Sequence, residues 1–223
     1  MTPRRSPIRP VPPKMSLPVL AAPVDVDWRT VRAHDLHEGA RYAGADVSGR
    51  DLSGATFSEC ELTGWAAHET LLRGASFADA RIERWGASSL AVDRSSWLSV
   101  SVTGSRLGSV EMYDSTLRNV SVEGSKIDWW NLRGAELRDV VVRGSLFGEM
   151  DLSGARAQRV AFEDCRIDTL TLDRAHLADV DLRGAEIGAV NGVEGLRGAT
   201  LTSAQISLMA PVFAARLGID VRG

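Results

Sequence analysis

The chain carries an apolar residue at every fifth position over most of its length. All 29 positions of this series from Val47 to Ile187 are apolar, although only 44% of the chain is hydrophobic. A period of five fits neither an amphipathic helix, which repeats about every 3.6 residues, nor a two-sided strand, which repeats every second residue. The spacing therefore indicates an internal structural repeat whose first centres are Val47, Leu52, Phe57, Leu62 and Ala67.

The residue two places before each centre is also small or apolar, apart from Arg50 and Thr70. Two inward side chains on alternate residues, followed by a tight turn, describe a short extended segment. Four such segments would close a square coil, and stacked coils would bury a continuous core. From residue 100 onwards this second inward position alternates between bulky and small residues, as in Trp130 and Ala135. The pattern predicts an all-β solenoid.

Two tryptophans, Trp65 and Trp85, occupy inward positions where most early units have a small residue. Each is followed two residues later by an alanine, so that the volume of the segment is conserved. Because the two tryptophans are one coil apart, we expect them to stack on each other inside the core.

Several units contain Asp-Leu or Asn-Leu, at residues 51–52, 131–132, 151–152 and 181–182. These units resemble the consensus Ala-Asp/Asn-Leu-x-x of the pentapeptide-repeat family, and the resemblance covers about two thirds of the chain. It implies a right-handed quadrilateral β-helix. At about 4.8 Å per coil, about seven coils would form a rod roughly 34 Å long.

The same pattern divides the chain into four parts. Residues 1–24 are rich in proline and arginine and are predicted to form a disordered tail. Residues 25–39 are predicted to form an N-terminal cap, and residues 40–190 the β-helix. Residues 191–223 are predicted to hold final repeats in a shifted register and a short C-terminal helical cap.

The C-terminal helix is predicted from its start signal and its apolar spacing. Thr202 and Gln205 have the spacing of a capping box, and Pro211 is expected to kink or divide the helix that follows. One apolar face should cover the last coil, and a spare face could pair with a second copy of the chain in a homodimer. The residues predicted for this cap or dimer surface are Met209, Val212, Phe213 and Leu217.

Composition and charge indicate the cellular compartment of the protein and whether it contacts nucleic acid or a membrane. The 223-residue chain has a net charge of -3 and a pI near 5.8, which predicts no direct nucleic-acid or membrane contact. No apolar run approaches the length of a membrane span. Cys60 and Cys165 fall at inward positions several coils apart, too far for a disulfide. Buried free thiols are typical of the reducing cytoplasm, where we expect this protein.

Outward positions twenty residues apart should form columns along the rod. One of these columns is acidic but interrupted, and it contains Glu59, Asp79, Ser99, Asn119, Asp139, Arg159 and Asp179. Several apolar residues of the middle coils, including Val141, are also predicted to point outward. The residues predicted to contact a partner are Leu98, Tyr113, Trp129 and Leu146.

The sequence contains no recognisable catalytic, cofactor-binding or metal-binding motif. Only His34 and His37 have the spacing of metal ligands, and no carboxylate or cysteine arrangement completes a site with them. We therefore expect no enzymatic activity, no cofactor and no metal.

The favoured interpretation is a non-catalytic scaffold that binds a protein partner through its sides. The family resemblance implies an alternative, because quinolone-resistance members mimic DNA, engage DNA gyrase and pair through C-terminal helices. Residues 40–190 hold 17 Lys and Arg against 23 Asp and Glu, a net charge of -6. That charge is a weak imitation of a duplex, which carries one negative charge per about 1.7 Å.

Overall fold

The computed structural model describes residues 10–16 and 18–221, which form a parallel β-solenoid with one C-terminal α-helix. Residues 1–9 of the predicted tail lie outside the described residues. Short 3-10 helices occur at Trp28–Thr30 and Val193–Leu196, and helix α1 spans Ser203–Arg216. The strands are β1 (Val24–Asp25), β2 (Leu36–Glu38), β3 (Ala40–Ala43), β4 (Thr56–Ser58), β5 (Glu61–Thr63), β6 (Thr70–Leu71), β7 (Ser76–Glu83), β8 (Gly86–Ala91), β9 (Ser96–Thr103), β10 (Arg106–Glu111), β11 (Thr116–Glu123), β12 (Lys126–Asn131), β13 (Glu136–Arg143), β14 (Leu146–Asp151), β15 (Arg156–Glu163), β16 (Cys165–Thr171), β17 (His176–Asp181), β18 (Ala185–Asn191) and β19 (Ala199–Thr200).

Each coil of the solenoid contains twenty residues and has four faces. The strands pair in parallel with residues twenty positions along the chain, as Leu117 does with Leu137. The long odd-numbered strands such as β11 carry two faces, and the even-numbered strands such as β12 run along the third. We call the faces first, second, third and fourth after the apolar centres of one coil, which are Leu117, Val122, Ile127 and Leu132.

The five-residue series forms the core of the rod. All of its members are buried except Val102, Leu177 and Ile187, which are partly buried against the same apolar cluster. The residues two places before the centres are also buried except Arg50 and Ala175, which are partly buried, and they include the free thiols Cys60 and Cys165. The prediction of two inward side chains per five-residue unit is therefore confirmed for nearly all units, and Thr70, a polar exception in the sequence, is buried as well.

Trp65 and Trp85 stack inside the core, as predicted. Their ring centroids are 5.3 Å apart with an interplanar angle of 11°, and the side chains are 1% and 3% exposed. The indole N–H of Trp65 donates to the carbonyl of Tyr42 at 3.1 Å, so that its polar atom is satisfied. Ala67 is fully buried beside this stack, and its small side chain leaves room for the indole.

The corners of the coils require a left-handed backbone. Gly124 and Gly144, between the second and third faces, have φ of 57° and 52°. Glycine is favoured there because a Cβ atom strains this conformation. At the corner between the first and second faces the same conformation is held by Asn119 and Asp139, each with φ of 57°. Asn and Asp tolerate it better than other residues with side chains.

The rod has about nine turns, and the prediction of about seven was too low. Strand β2 pairs with β4 in the ordinary register, and β1 pairs with β3, so that coils begin before residue 40. These residues were not recognised because a polar residue, His37, occupies an apolar centre. Its ring stacks on Phe57 at 5.1 Å, and its Nδ1 lies 2.8 Å from the hydroxyl of Tyr42.

The C-terminal end follows the predicted signals with one difference. Strand β19 pairs Ala199 with Val180, a step of nineteen residues that records the shifted register. Thr202 and Gln205 form the predicted capping box at the start of helix α1. The helix continues through Pro211 as one element and is not divided there.

Candidate functional site

The four residues predicted to contact a partner do not form one patch. Leu98 lies on the first face and Leu146 on the third, and they are 48% and 49% exposed. Trp129 lies at the end of the third face and is half-buried. Tyr113 is half-buried on the fourth face, where its hydrogen bond to Asp93 raises the pKa of the phenol. Only Leu98 and Leu146 are therefore widely accessible.

The first face presents a cluster of exposed basic side chains. Arg118 and Arg138 follow Leu98 in the same column, each one coil further along the rod. In the neighbouring column Arg156 stands between Glu136 and His176. The four charged side chains Arg118, Arg138, Arg156 and Glu136 are exposed, as is His176, and all five border a shallow depression of about 310 Å³. We call Arg118, Arg138 and Arg156, together with Leu98, the basic face.

This basic face was missed because the arginines lie twenty residues apart in the sequence. The acidic column and the outward apolar residues were the predicted surface features, and the column of Leu98, Arg118 and Arg138 was not among them. A list of outward residues twenty positions apart would have found it.

The corner between the first and second faces carries the predicted acidic column. Arg159 donates from Nε and Nη2 to the two carboxylate oxygens of Asp139, and both distances are 2.6 Å. The hydrogen bond from Arg159 lowers the pKa of Asp139 below its ordinary value. The negative charge in the middle of this column is therefore balanced by a neighbouring positive charge. We call the segment formed by Asn119, Asp139, Arg159 and Asp179 the strap corner.

Residues 10–16 lie along the strap corner, and we call them the N-terminal strap. The backbone N–H groups of Val11 and Lys14 donate to Oδ1 of Asp179 and Asp139, at 3.1 and 2.8 Å. The N–H of Ser16 donates to Oδ1 of Asn119 at 2.8 Å, and the side-chain amide of Asn119 donates back to the Ser16 carbonyl. The strap runs from late coils towards early ones.

The residues predicted for a cap or dimer surface point in two directions. Met209 is buried, and Phe213 is partly buried against the core, so these two contact the end of the rod. Val212 and Leu217 are 41% and 75% exposed. Leu208, which the prediction omitted, is 80% exposed and lies one helical turn before Val212.

The interior of the rod has no space of ligand size, and the described residues hold no candidate metal cluster. Within residues 10–16 and 18–221, no cluster of three or more His, Cys, Asp or Glu side chains could hold a metal ion. Two spaces inside the rod measure about 10 and 40 Å³. Ligand pockets usually measure about 300–1,000 Å³. The same part of the chain contains no helix with both the length and the hydropathy to cross a membrane.

Comparisons with known proteins return solved structures only. No protein-family model and no curated protein matches the chain. Full-length QnrB1, a plasmid-mediated fluoroquinolone resistance protein, is 19% identical with a TM-score of 0.30, covering 90% of this chain and 97% of that one. A trypsin-treated variant of QnrB1 is 21% identical, with a TM-score of 0.32 and coverages of 89% and 96%.

A third similar structure is HetL, a pentapeptide repeat protein involved in heterocyst differentiation regulation from the cyanobacterium Nostoc sp. strain PCC 7120. It is 15% identical with a TM-score of 0.26, covering 77% of this chain and 91% of that one. Likenesses at this level carry no argument about activity. The chain's own tandem units, four to a coil with their apolar centres packed in one core, show a parallel β-solenoid built from five-residue repeats.

Proposed function

We propose that this protein is a non-catalytic scaffold that binds a protein partner through the sides of its rod. The observation that carries the proposal is the basic face, where three exposed arginines and Leu98 lie on neighbouring coils. Parallel strands hold the backbone of these residues in a fixed spacing. A partner would therefore meet a preorganised surface, which lowers the entropic cost of binding.

The charge of the basic face indicates the chemistry of its partner. Arg118 and Arg156 have no ion pair among the described residues, and Arg138 only approaches Asp139 at 3.8 Å. An acidic protein surface would supply the missing carboxylates, and such complementarity favours specificity and rapid association. Leu98, at the early end of this face, adds an apolar contact.

The proposal is tested by comparing charge-reversal variants in the native cell. Tagged wild-type protein, Arg118→Glu/Arg138→Glu and the matched control Arg106→Glu on the third face are crosslinked and purified. We expect a protein that the wild type and the control retain and the double variant loses. If all three retain the same proteins, the basic face is not the binding surface.

A second candidate is the gyrase-binding DNA mimic, which the uninterrupted rod and the exposed apolar side of helix α1 favour. The ion pair of Arg159 with Asp139 and the arginines of the basic face weaken the resemblance to a duplex. A supercoiling assay with purified DNA gyrase separates the two candidates. Inhibition of gyrase, or its protection from a quinolone, at micromolar protein would favour the mimic.

Two further predictions belong to the same proposal. A cytoplasmic location is supported by the two buried free thiols, Cys60 and Cys165. A homodimer through helix α1 is supported by the exposed Leu208 and Val212.

A further inference from the structure

The N-terminal strap matches the spacing of the strap corner. From Val11 to Lys14 the strap advances three residues while its acceptors advance two coils, from Asp179 to Asp139. A polyproline II segment rises about 3.1 Å per residue, so three residues span about 9.3 Å. Two coil steps of about 4.8 Å give about 9.6 Å. The interval between Asp179 and Asp139 therefore suits an extended chain in this conformation.

The sequence of the strap favours the same conformation. Pro10, Pro12 and Pro13 restrict the backbone to polyproline II geometry before docking, so that little entropy is lost on binding. The prolines also leave N–H groups at Val11 and Lys14, which are the groups that donate to the corner.

Recognition at the strap corner is made through the backbone of the strap. Asp179, Asp139 and Asn119 accept N–H groups, and Asn119 also donates to a carbonyl. The side chains of Val11 and Lys14 remain exposed. A surface of this kind selects for an extended, proline-rich chain and leaves several side-chain positions free to vary.

The residues of this corner that contact the strap are less exposed than residues in the early coils of the same column. Glu59 and Asp79, in the early coils of the same column, are exposed, whereas Asn119 and Asp139 are half-buried. Val141, predicted to point outward, is 3% exposed although it lies outside the apolar core cluster. It follows Asp139 by two residues, beside the point where Lys14 docks.

We propose that the strap corner is a binding track for an extended proline-rich segment of another protein, and that residues 10–16 occupy it in cis. A tethered segment acts at an effective concentration of the order of millimolar, so that it excludes a weak ligand in trans. Release of the strap then exposes the track. This site is separate from the basic face and does not depend on it.

Proline substitutions in the full-length chain provide the test. Lys14→Pro with Ser16→Pro removes two N–H donors of the strap while keeping a conformation that suits polyproline II. A fluorescent peptide with the sequence of residues 10–20 is titrated against this strap variant and against the wild type. We expect the strap variant to bind the peptide at least about 10-fold more tightly, because its own strap no longer competes.

Two controls assign the binding to the track. Asp139→Ala in the strap variant should weaken peptide binding about 10-fold, whereas Asp164→Ala, at a different left-handed corner, should leave it unchanged. A peptide with proline at its own positions 14 and 16 should not bind, which tests the N–H donors without changing the protein. Hydrogen exchange of residues 10–16 reports whether the strap is released.

Two outcomes would overturn the proposal. One is a released strap with no peptide binding, since the track would then serve only its own chain. The other is a strap that stays docked after losing the N–H donors of Lys14 and Ser16, since these two hydrogen bonds would then not be what holds a chain in the track.

Discussion

Replacing Trp65 by alanine should cost the rod a large part of its stability. The indole is 1% exposed, stacks on Trp85 at 5.3 Å and donates a hydrogen bond to Tyr42. Truncation of a buried Trp to Ala costs about 3–5 kcal/mol. Because the variant also loses a stacked pair and leaves a buried carbonyl without its donor, we expect about 4–5 kcal/mol, in the upper part of that range.

The assay is urea unfolding followed by far-ultraviolet circular dichroism, with Trp129→Ala as the matched control. Trp129 is half-buried at the surface, so its loss should cost about 1 kcal/mol or less. Ala67→Leu alone should destabilise by about 1–3 kcal/mol through overpacking. In the Trp65→Ala background the same substitution should recover about 1 kcal/mol, because the cavity receives the added volume. Strictly additive costs, or a loss below about 1 kcal/mol for Trp65→Ala, would refute the compensation between these positions.

Three further predictions concern the helix, the strap and a buried phenol. Light scattering should find a dimer for the wild type and a monomer for Leu208→Asp, whereas a monomeric wild type would make helix α1 only a cap. The lowered pKa of Asp139 means that its contribution is complete above the unfolded pKa and is lost as pH falls through the lower folded value. The strap amides should therefore stay protected from hydrogen exchange until the pH drops below the ordinary pKa range of an Asp carboxyl. Release of the strap at a pH within that range would contradict this. Burial raises the pKa of Tyr42 to about 12. The stability that the buried, neutral phenol contributes is therefore fully present below the pKa of an unfolded tyrosine and is lost as the pH rises through about 12. An ultraviolet titration should show one tyrosine ionising near that pH, and two tyrosines ionising at the ordinary pKa would contradict it.

The core of this fold was predictable because its signal is periodic. A period of five with two inward residues has few structural solutions, and the buried centres and the Trp65–Trp85 stack followed from it. The first coil was not predicted because His37 takes the place of an apolar centre, where its Nδ1 forms a hydrogen bond with the hydroxyl of Tyr42. A polar residue at a core position interrupts the apolar period in the sequence, although the residue still packs in the core.

The functional surfaces were less predictable because they depend on contacts between distant parts of the chain. Residues 1–24 have the composition of a disordered tail. No local sequence signal indicates that Lys14 and Ser16 form hydrogen bonds with residues more than 100 positions away. The outward position of Val141 was inferred from its place in the repeat, which says nothing about what else lies against that face. Leu208 was omitted because helical spacing alone does not distinguish the side that faces the rod from the side that faces solvent.

Photo-crosslinking from matched positions on two faces would test most directly whether the basic face binds the partner. Leu98 on that face and Leu146 on the third face are 48% and 49% exposed, so a photoreactive residue at either position has similar access to solvent. We predict a covalent adduct with a protein partner in the native cell from position 98 and none from position 146. An adduct from position 146, or equal adducts from both, would contradict the assignment of binding to the basic face.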